Sequence, residues 1–340
     1  MSGSMDGQKE YQHIIETAFA FCRSQCLFTG VDVGLFSLLE KQGLDHREVS
    51  VRLGINERGS LEFLDALVAI GILRRDADVY SNTPAASRFL AEQSPDYIGG
   101  LLEFTAARLY PVWSRLPSAI RTGLPQNEAL TETDYYANLG ADKERHARFL
   151  RGMTGLSMRP AQAIAKHFPW HKYESFVDPG GASGSLAVEI LKQHSLLTGA
   201  VFDLPDVQPF FEAYAHEFLP RLKFYSGDFF KNSLPQADVF VLGHVLHNWN
   251  REEKRQILSA VYEALKPGGA VVIYEWLLDD IREKTMPLLD SLTMLLVTPH
   301  GCGISEGSCR DLLQTVGFSN SEILVADDPF TIVAGWKRQE

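Results

Sequence analysis

Three short apolar runs in the second half of the chain each close on an acid, and this restricts the fold more than any other feature. SFVDPG carries Asp178, GAVFDL ends near Asp203, and LKFYSGDFF carries Asp228. The amphipathic stretches SLAVEILKQH and DVQPFFEAYAHEF separate them. Runs rich in Val, Phe and Tyr read as strands. Strands alternating with helices build an open parallel sheet covered on both faces. In such a sheet the carboxyl ends of the strands line one crevice, where ligands bind. Three acids gathered there call for a ligand.

The pattern continues with ADVFVLG, the helical run REEKRQILSAVYEAL and AVVIYEW. Asn250 stands at the N-cap of that helix, with Glu253 at the capping-box position. After SCRDLLQTVGF, the strands SEILVAD and FTIVAGWK follow with a joint short enough only for an antiparallel pair. Residues 9–165 read instead as mostly helical, and EVSVRLGI, SLEFLDALVAIGILRRD and VYSNTP give the helix, helix, hairpin series of a winged helix. We therefore expect a helical, winged-helix-like domain over 1–165 and an α/β domain over 166–340.

A winged helix serves either DNA binding or dimerisation. The formal net charge of −11 repels phosphate backbones and favours dimerisation over nucleic acid. No apolar run reaches the roughly 18 residues of a spanning helix, and the first residues lack a basic stretch followed by an apolar core. A protein of the cytoplasm, with no membrane partner, is expected. The 4 cysteines lack the paired C-x-x-C spacing of a zinc site, so no metal is expected.

FVDPGGASGSL is the sharpest local signal. Gly180, Gly181 and Gly184 let the backbone turn tightly and approach a ligand at a helix N-terminus. A dinucleotide site shares this design, but the third position of its G-x-G-x-x-G template is Ala182 here. Asp203, ending the second strand, suits the two hydroxyls of a ribose. Asp228 can accept an adenine amino hydrogen while Phe229 covers the base. The third acid favours a methionine-derived nucleoside over NAD.

VDPGGASGSL, VFDLP, GDFF, LHNW, EALKPGGAVVIYE and the late VGF together resemble the S-adenosylmethionine-dependent small-molecule O-methyltransferases of plants, fungi and bacteria. Acetylserotonin, caffeate and antibiotic-pathway enzymes belong to that family. The resemblance is ordered over roughly residues 149–340 and looser before them. It implies a class I methyltransferase sheet of order 3-2-1-4-5-7-6, with an N-terminal domain that forms a homodimer and closes over the substrate. It implies S-adenosylmethionine as cofactor, held by Asp178, Gly180, Gly181, Gly184, Asp203, Asp228, Phe229 and Ser157, the last beside the methionine carboxylate. Gly243 and His244 stand where family members often carry Lys or Arg, with His244 set to flank the adenine.

Methyl transfer from a sulfonium needs an electron-rich acceptor. A phenol with a pKa of about 10 is mostly protonated at neutral pH, so a positioned base helps. Histidine suits this task and needs a partner to fix its tautomer. The resemblance makes His247, in LHNW, the general base, and Glu275, ending the fifth strand, its orienter. Asn248 replaces the family's usual Asp. The family's second flanking carboxylate falls on Gly303, with Glu306 three residues on as a substitute. Phe149, Met153 and Met294 are expected pocket walls and Asp290 a polar contact to the acceptor. The expected reaction is O-methylation of a small hydroxylated, aromatic or polyketide-like metabolite. S- or N-methylation, a non-methylating reaction on the same fold, or a non-enzymatic winged-helix regulator are the alternatives.

Overall fold

A computed structural model describes residues 2–130, 136, 139, 140, 142–327 and 329–339. By internal packing the chain forms two compact units, Met1–Ala107 and Arg108–Glu340.

The first unit runs through α1 (Ser2–Ala18), α2 (Ala20–Asp32), α3 (Leu35–Leu39), α4 (His46–Leu53) and α5 (Glu57–Ala69). The antiparallel hairpin β1 (Leu73–Asp76) and β2 (Val79–Asn82), then α6 (Pro84–Leu90) and α7 (Gly99–Phe104), complete it. Its local signals are strong. Asp45 and Glu48 form a reciprocal capping box on α4, and Thr83 caps α6 ahead of Pro84. Leu35, Phe36, Leu64, Leu67, Leu73 and Tyr80 form its core. This is the helix, helix, hairpin series expected from the sequence.

The second unit begins with α8 (Tyr110–Trp113), α9 (Leu116–Thr122) and the long α10 (Lys143–His167). The sheet elements follow in order: β3 (Ser175–Pro179), α11 (Ser185–Gln193), β4 (Thr198–Asp203), α12 (Gln208–Tyr214), β5 (Leu222–Ser226) and β6 (Ala237–Gly243). Then come α13 (Arg251–Ala264), β7 (Leu265–Glu275), α14 (Thr285–Val297), α15 (Glu306–Val316), β8 (Asn320–Asp327) and β9 (Phe330–Trp336). The strands lie in the order β5-β4-β3-β6-β7-β9-β8, with β9 antiparallel to both its neighbours and the rest parallel. This is the expected order.

Side chains alternate between the two faces of the sheet, as the pleat requires. Phe176, Val201, Val239, Val241 and Val272 join Ile164 of α10 and Leu186 and Ile190 of α11 in one core. Val177, Phe240, Leu242, Val271 and Ile273 join Ile257, Leu258 and Val261 of α13 in the other. The helical segment up to residue 165 thus includes α10, which packs on the sheet unit. From β3 the chain winds outward to β5, then returns to β6 on the other side of β3. That reversal opens a crevice beyond the strand ends, between β3 and β6.

Candidate active site

At the end of β3 the backbone turns sharply into α11. Gly180 has φ +73°, and a Cβ there would lie 2.9 Å from Val245. Only glycine satisfies both the left-handed turn and the close approach. Gly184 donates its N–H to the Gly181 carbonyl at 2.8 Å and leads into α11. Asp203 clamps this loop from the neighbouring strand. Its Oδ2 accepts from the Ala182 amide at 2.8 Å and its Oδ1 from Leu204 at 2.7 Å. Burial nevertheless raises its pKa to about 6 against those two donors. Asp178 is buried beside it, and burial followed by the Asp203 charge pushes its pKa well up. Among the described residues neither acid has an ion-pair partner. Two buried acids of this kind make a favourable seat for a ligand that carries positive charge.

Around the loop the other expected cofactor residues have definite partners. Tyr274 donates its hydroxyl to Ser157 Oγ at 3.0 Å, and Thr154 and Ser183 hydroxyls meet at 2.8 Å, joining α10 to the crevice. Asp228 accepts from the Phe230 amide at 2.9 Å and pairs with Lys231 at 2.8 Å. Phe229 packs its ring against Phe230 and Trp249. At the end of β6, a Cβ on Gly243 would sit 1.8 Å from the Tyr274 ring, so a side chain at that position collides with it. His244 follows with φ +53°, a strained value for a residue other than glycine.

His244 opens onto the second half of the site. His247 stands on a short turn, Leu246–Asn248, just past β6. Asn248 anchors the turn by donating to the His244 carbonyl at 3.0 Å. Glu275, the last residue of β7, is 1% exposed. Its Oε1 accepts from the amides of Leu246 at 2.9 Å and His247 at 3.4 Å. Its Oε2 lies 3.3 Å from His247 Nδ1 and 3.8 Å from His244 Nδ1. A second carboxylate arrives from α14, where Asp290 Oδ2 is 3.2 Å from the same His247 Nδ1. Burial opposes a charge on His247, but Glu275 and then Asp290 outweigh it and lift its pKa to about 9. His244 goes the other way, to about 3, through burial and then the neighbouring His247. Burial also raises Glu275. The cluster is built to hold one proton on Nδ1 of His247.

Donor atoms of His244, His247 and Glu275 lie within 4.8 Å of one another, which is also within reach of a divalent cation. The other expected residues scatter. Phe149 and Met153 lie one turn apart and half-buried on α10, and Met294 is buried one turn after Asp290 on α14. Glu306 pairs with Lys284 and accepts from Thr331, with no described contact to His247. Sequence reasoning missed Lys254, a buried residue of α13. Its ammonium donates to the Cys302 carbonyl at 3.0 Å, and its charge lowers the His247 pKa. A lysine inside an otherwise apolar helix stripe was its only signal.

Comparison with known proteins identifies the family. Residues 113–319 match the O-methyltransferase domain and residues 15–92 the O-methyltransferase dimerisation domain. The tetracenomycin polyketide synthesis 8-O-methyl transferase TcmO of Streptomyces glaucescens is 37% identical over 95% of this chain and 96% of its own length. The N,N-dimethyltransferase OxyT of Streptomyces rimosus is 34% identical over 90% of each chain. Human N-acetylserotonin methyltransferase, solved in complex with S-adenosylmethionine, superposes with a TM-score of 0.89 at 26% identity, covering 97% of this chain and 98% of that one. This chain therefore belongs to the O-methyltransferase family and is an S-adenosylmethionine-dependent methyltransferase.

Proposed function

We propose that the protein methylates a hydroxyl of a small aromatic, polyketide-like metabolite, with His247 as general base and Glu275 as its orienter. The observation that carries this reading is the buried contact of Glu275 Oε2 with His247 Nδ1 at 3.3 Å. The Glu275 charge favours a proton on Nδ1, which Asp290 accepts at 3.2 Å, and this leaves the lone pair of the neutral ring on Nε2. Nε2 makes no hydrogen bond among the described residues, so it is free to take a proton from an acceptor hydroxyl.

The residues of the crevice fit S-adenosylmethionine. The glycine turn at Gly180 and Gly181 admits a ligand close to the backbone. Among the described residues, the acids Asp178 and Asp203 have no cation of their own. Ser157, which accepts from Tyr274, keeps its own proton to donate to a carboxylate. Asp203 would hold the ribose, with Asp228, Phe229, Gly243 and His244 around the adenine. When bound, the sulfonium supplies an activated methyl group. His247 keeps its proton at neutral pH in the free protein and must release it before serving as base. A positive charge entering the crevice eases that release. Phe149, Met153 and Met294 would line the acceptor pocket.

The polyketide relative TcmO supports the acceptor class. N-methylation is the second reading, favoured by the N,N-dimethyltransferase relative. The dimerisation-domain match over residues 15–92 supports a homodimer through the N-terminal domain, as do exposed Tyr11 and Ile14 on α1, Phe19 at the joint and Phe21 on α2. Among the described residues no helix is long and apolar enough to cross a membrane, and a cytoplasmic enzyme is the corresponding reading. The test is methyl transfer from S-adenosylmethionine to matched polycyclic phenols and amines, with products identified by mass, with and without a chelator. Phenol ethers formed at an unchanged rate with chelator support the reading. Products methylated only on nitrogen would replace it with the second, and loss of turnover with chelator would bring a metal into the site.

A further inference from the structure

Two carboxylates on one imidazole nitrogen raise the question of what the second one does. We infer that Asp290 is a positioning residue that accepts the Nδ1 proton of His247 beside the buried Glu275 carboxylate and sets how firmly that proton is held. This rests on the reading of His247 as base, yet its test stands apart from that reading.

The two acids reach Nδ1 at nearly equal distance, 3.3 Å from Glu275 and 3.2 Å from Asp290. They are anchored very differently. Glu275 ends a central strand, and its other oxygen is tied to the amides of the His247 turn. Asp290 belongs to α14, and its side chain is 14% exposed. Glu275 therefore fixes the turn to the sheet and faces the ring with an oxygen that makes no hydrogen bond among the described residues, while Asp290 bonds the ring itself and couples it to the seating of a separate helix.

The loop after α14 explains why the second acid comes from the helix. Gly303 donates its amide to Ser291 Oγ at 3.0 Å, and a Cβ on Gly303 would meet Ser291 Cβ at 3.0 Å. A side chain at 303 would enter space that Ser291 already fills. Ser291 is the direct neighbour of Asp290, so the turn of α14 that closes the loop position also presents the carboxylate.

The charged and titratable groups facing His247 are Glu275 from β7, Asp290 from α14, His244 from the end of β6 and Lys254 from α13. Of these acids, Asp290 does not hold the amides of the His247 turn, and its charge can be removed with little change of shape. In Asp290→Asn the amide oxygen still accepts from Nδ1–H, so the tautomer stays while the charge goes. An opposite charge at this range shifts a pKa by about 1–3 units.

Nitrogen-15 histidine NMR of the cofactor-free protein, titrated with pH, reads both quantities without an acceptor. For Asp290→Asn we expect the His247 pKa to fall by about one unit or more while Nδ1 stays protonated. In kinetics, the acid limb of kcat/KM should move to lower pH, and kcat should fall several-fold with KM within about twofold. An unmoved His247 pKa overturns the inference. So does a rise in KM alone, which would make Asp290 a contact to the acceptor. If Asp290→Asn does not fold, Asp290→Glu restores the charge from a longer arm. It should then keep the wild-type His247 pKa, and a fall there overturns the inference equally. If His247→Ala retains full activity, the base reading fails, while the titration still decides whether Asp290 governs the ring.

Discussion

The two halves of the crevice solve opposite electrostatic problems. On the β3–β4 side, two acids are buried with amide donors or none, and burial pushes their protons on, Asp203 to about 6. On the β6–β7 side, two acids surround an imidazole, and His247 holds its proton up to about 9. The first half is short of positive charge and suits a cationic ligand. The second half already contains its cation, the protonated His247. A sulfonium donor and a protonated acceptor need these two environments side by side.

Changing the charge on the base side should give the largest effect. Glu275→Gln keeps the shape but removes the charge that outweighs burial, and kcat should fall by about 10²–10⁴-fold, measured with saturating cofactor. An unchanged kcat would break the contrast between the halves. Gly243→Ala tests the ring that separates them. Its Cβ would fall 1.8 Å from Tyr274, and overpacking of this kind costs about 1–3 kcal/mol, read as a lowered thermal midpoint.

Opposite pH responses sharpen the comparison next. Asp203 has a folded pKa above its ordinary value, so its ionised form costs stability above about 6. That cost is relieved as pH falls through about 6, while cofactor affinity should drop, by up to about tenfold per unit. Titration calorimetry between about pH 5 and 8 reads the binding. His247 also has a raised folded pKa, but as a base. Its contribution to stability is present below its ordinary value of about 6.5 and lost as pH rises through about 9. Thermal melts of wild type against His247→Gln across that range check the sign. The smallest effect lies away from both halves. Asn250→Ala removes the reciprocal cap on α13 and should cost about 1 kcal/mol with no change in cofactor affinity.

Legibility in the sequence follows the same division. The cofactor side is local: Asp203 holds the Ala182 amide of the loop one strand earlier, and Asp228 bonds to Phe230 two residues on. Such contacts follow from strand ends and turn chemistry, so the glycine turn and its acids stood out. The capping box at Asn250 and Glu253 was readable for the same reason. The order of the strands came from the family resemblance, since alternation alone does not fix it. On the base side, Asp290 reaches His247 from 43 positions away. Periodicity says nothing of such meetings. Asp290 therefore read as an acceptor contact, and the second acid was sought at Glu306, which pairs with Lys284 instead.

Single-turnover methyl transfer by His247→Ala, with a phenolic acceptor and preloaded S-adenosylmethionine, tests the central claim most directly. The rate should fall by about 10²–10⁴-fold while cofactor affinity stays within about twofold, and raising the pH toward the acceptor's own pKa should recover much of it. A rate equal to that of wild type at neutral pH would show that the proton leaves by another route.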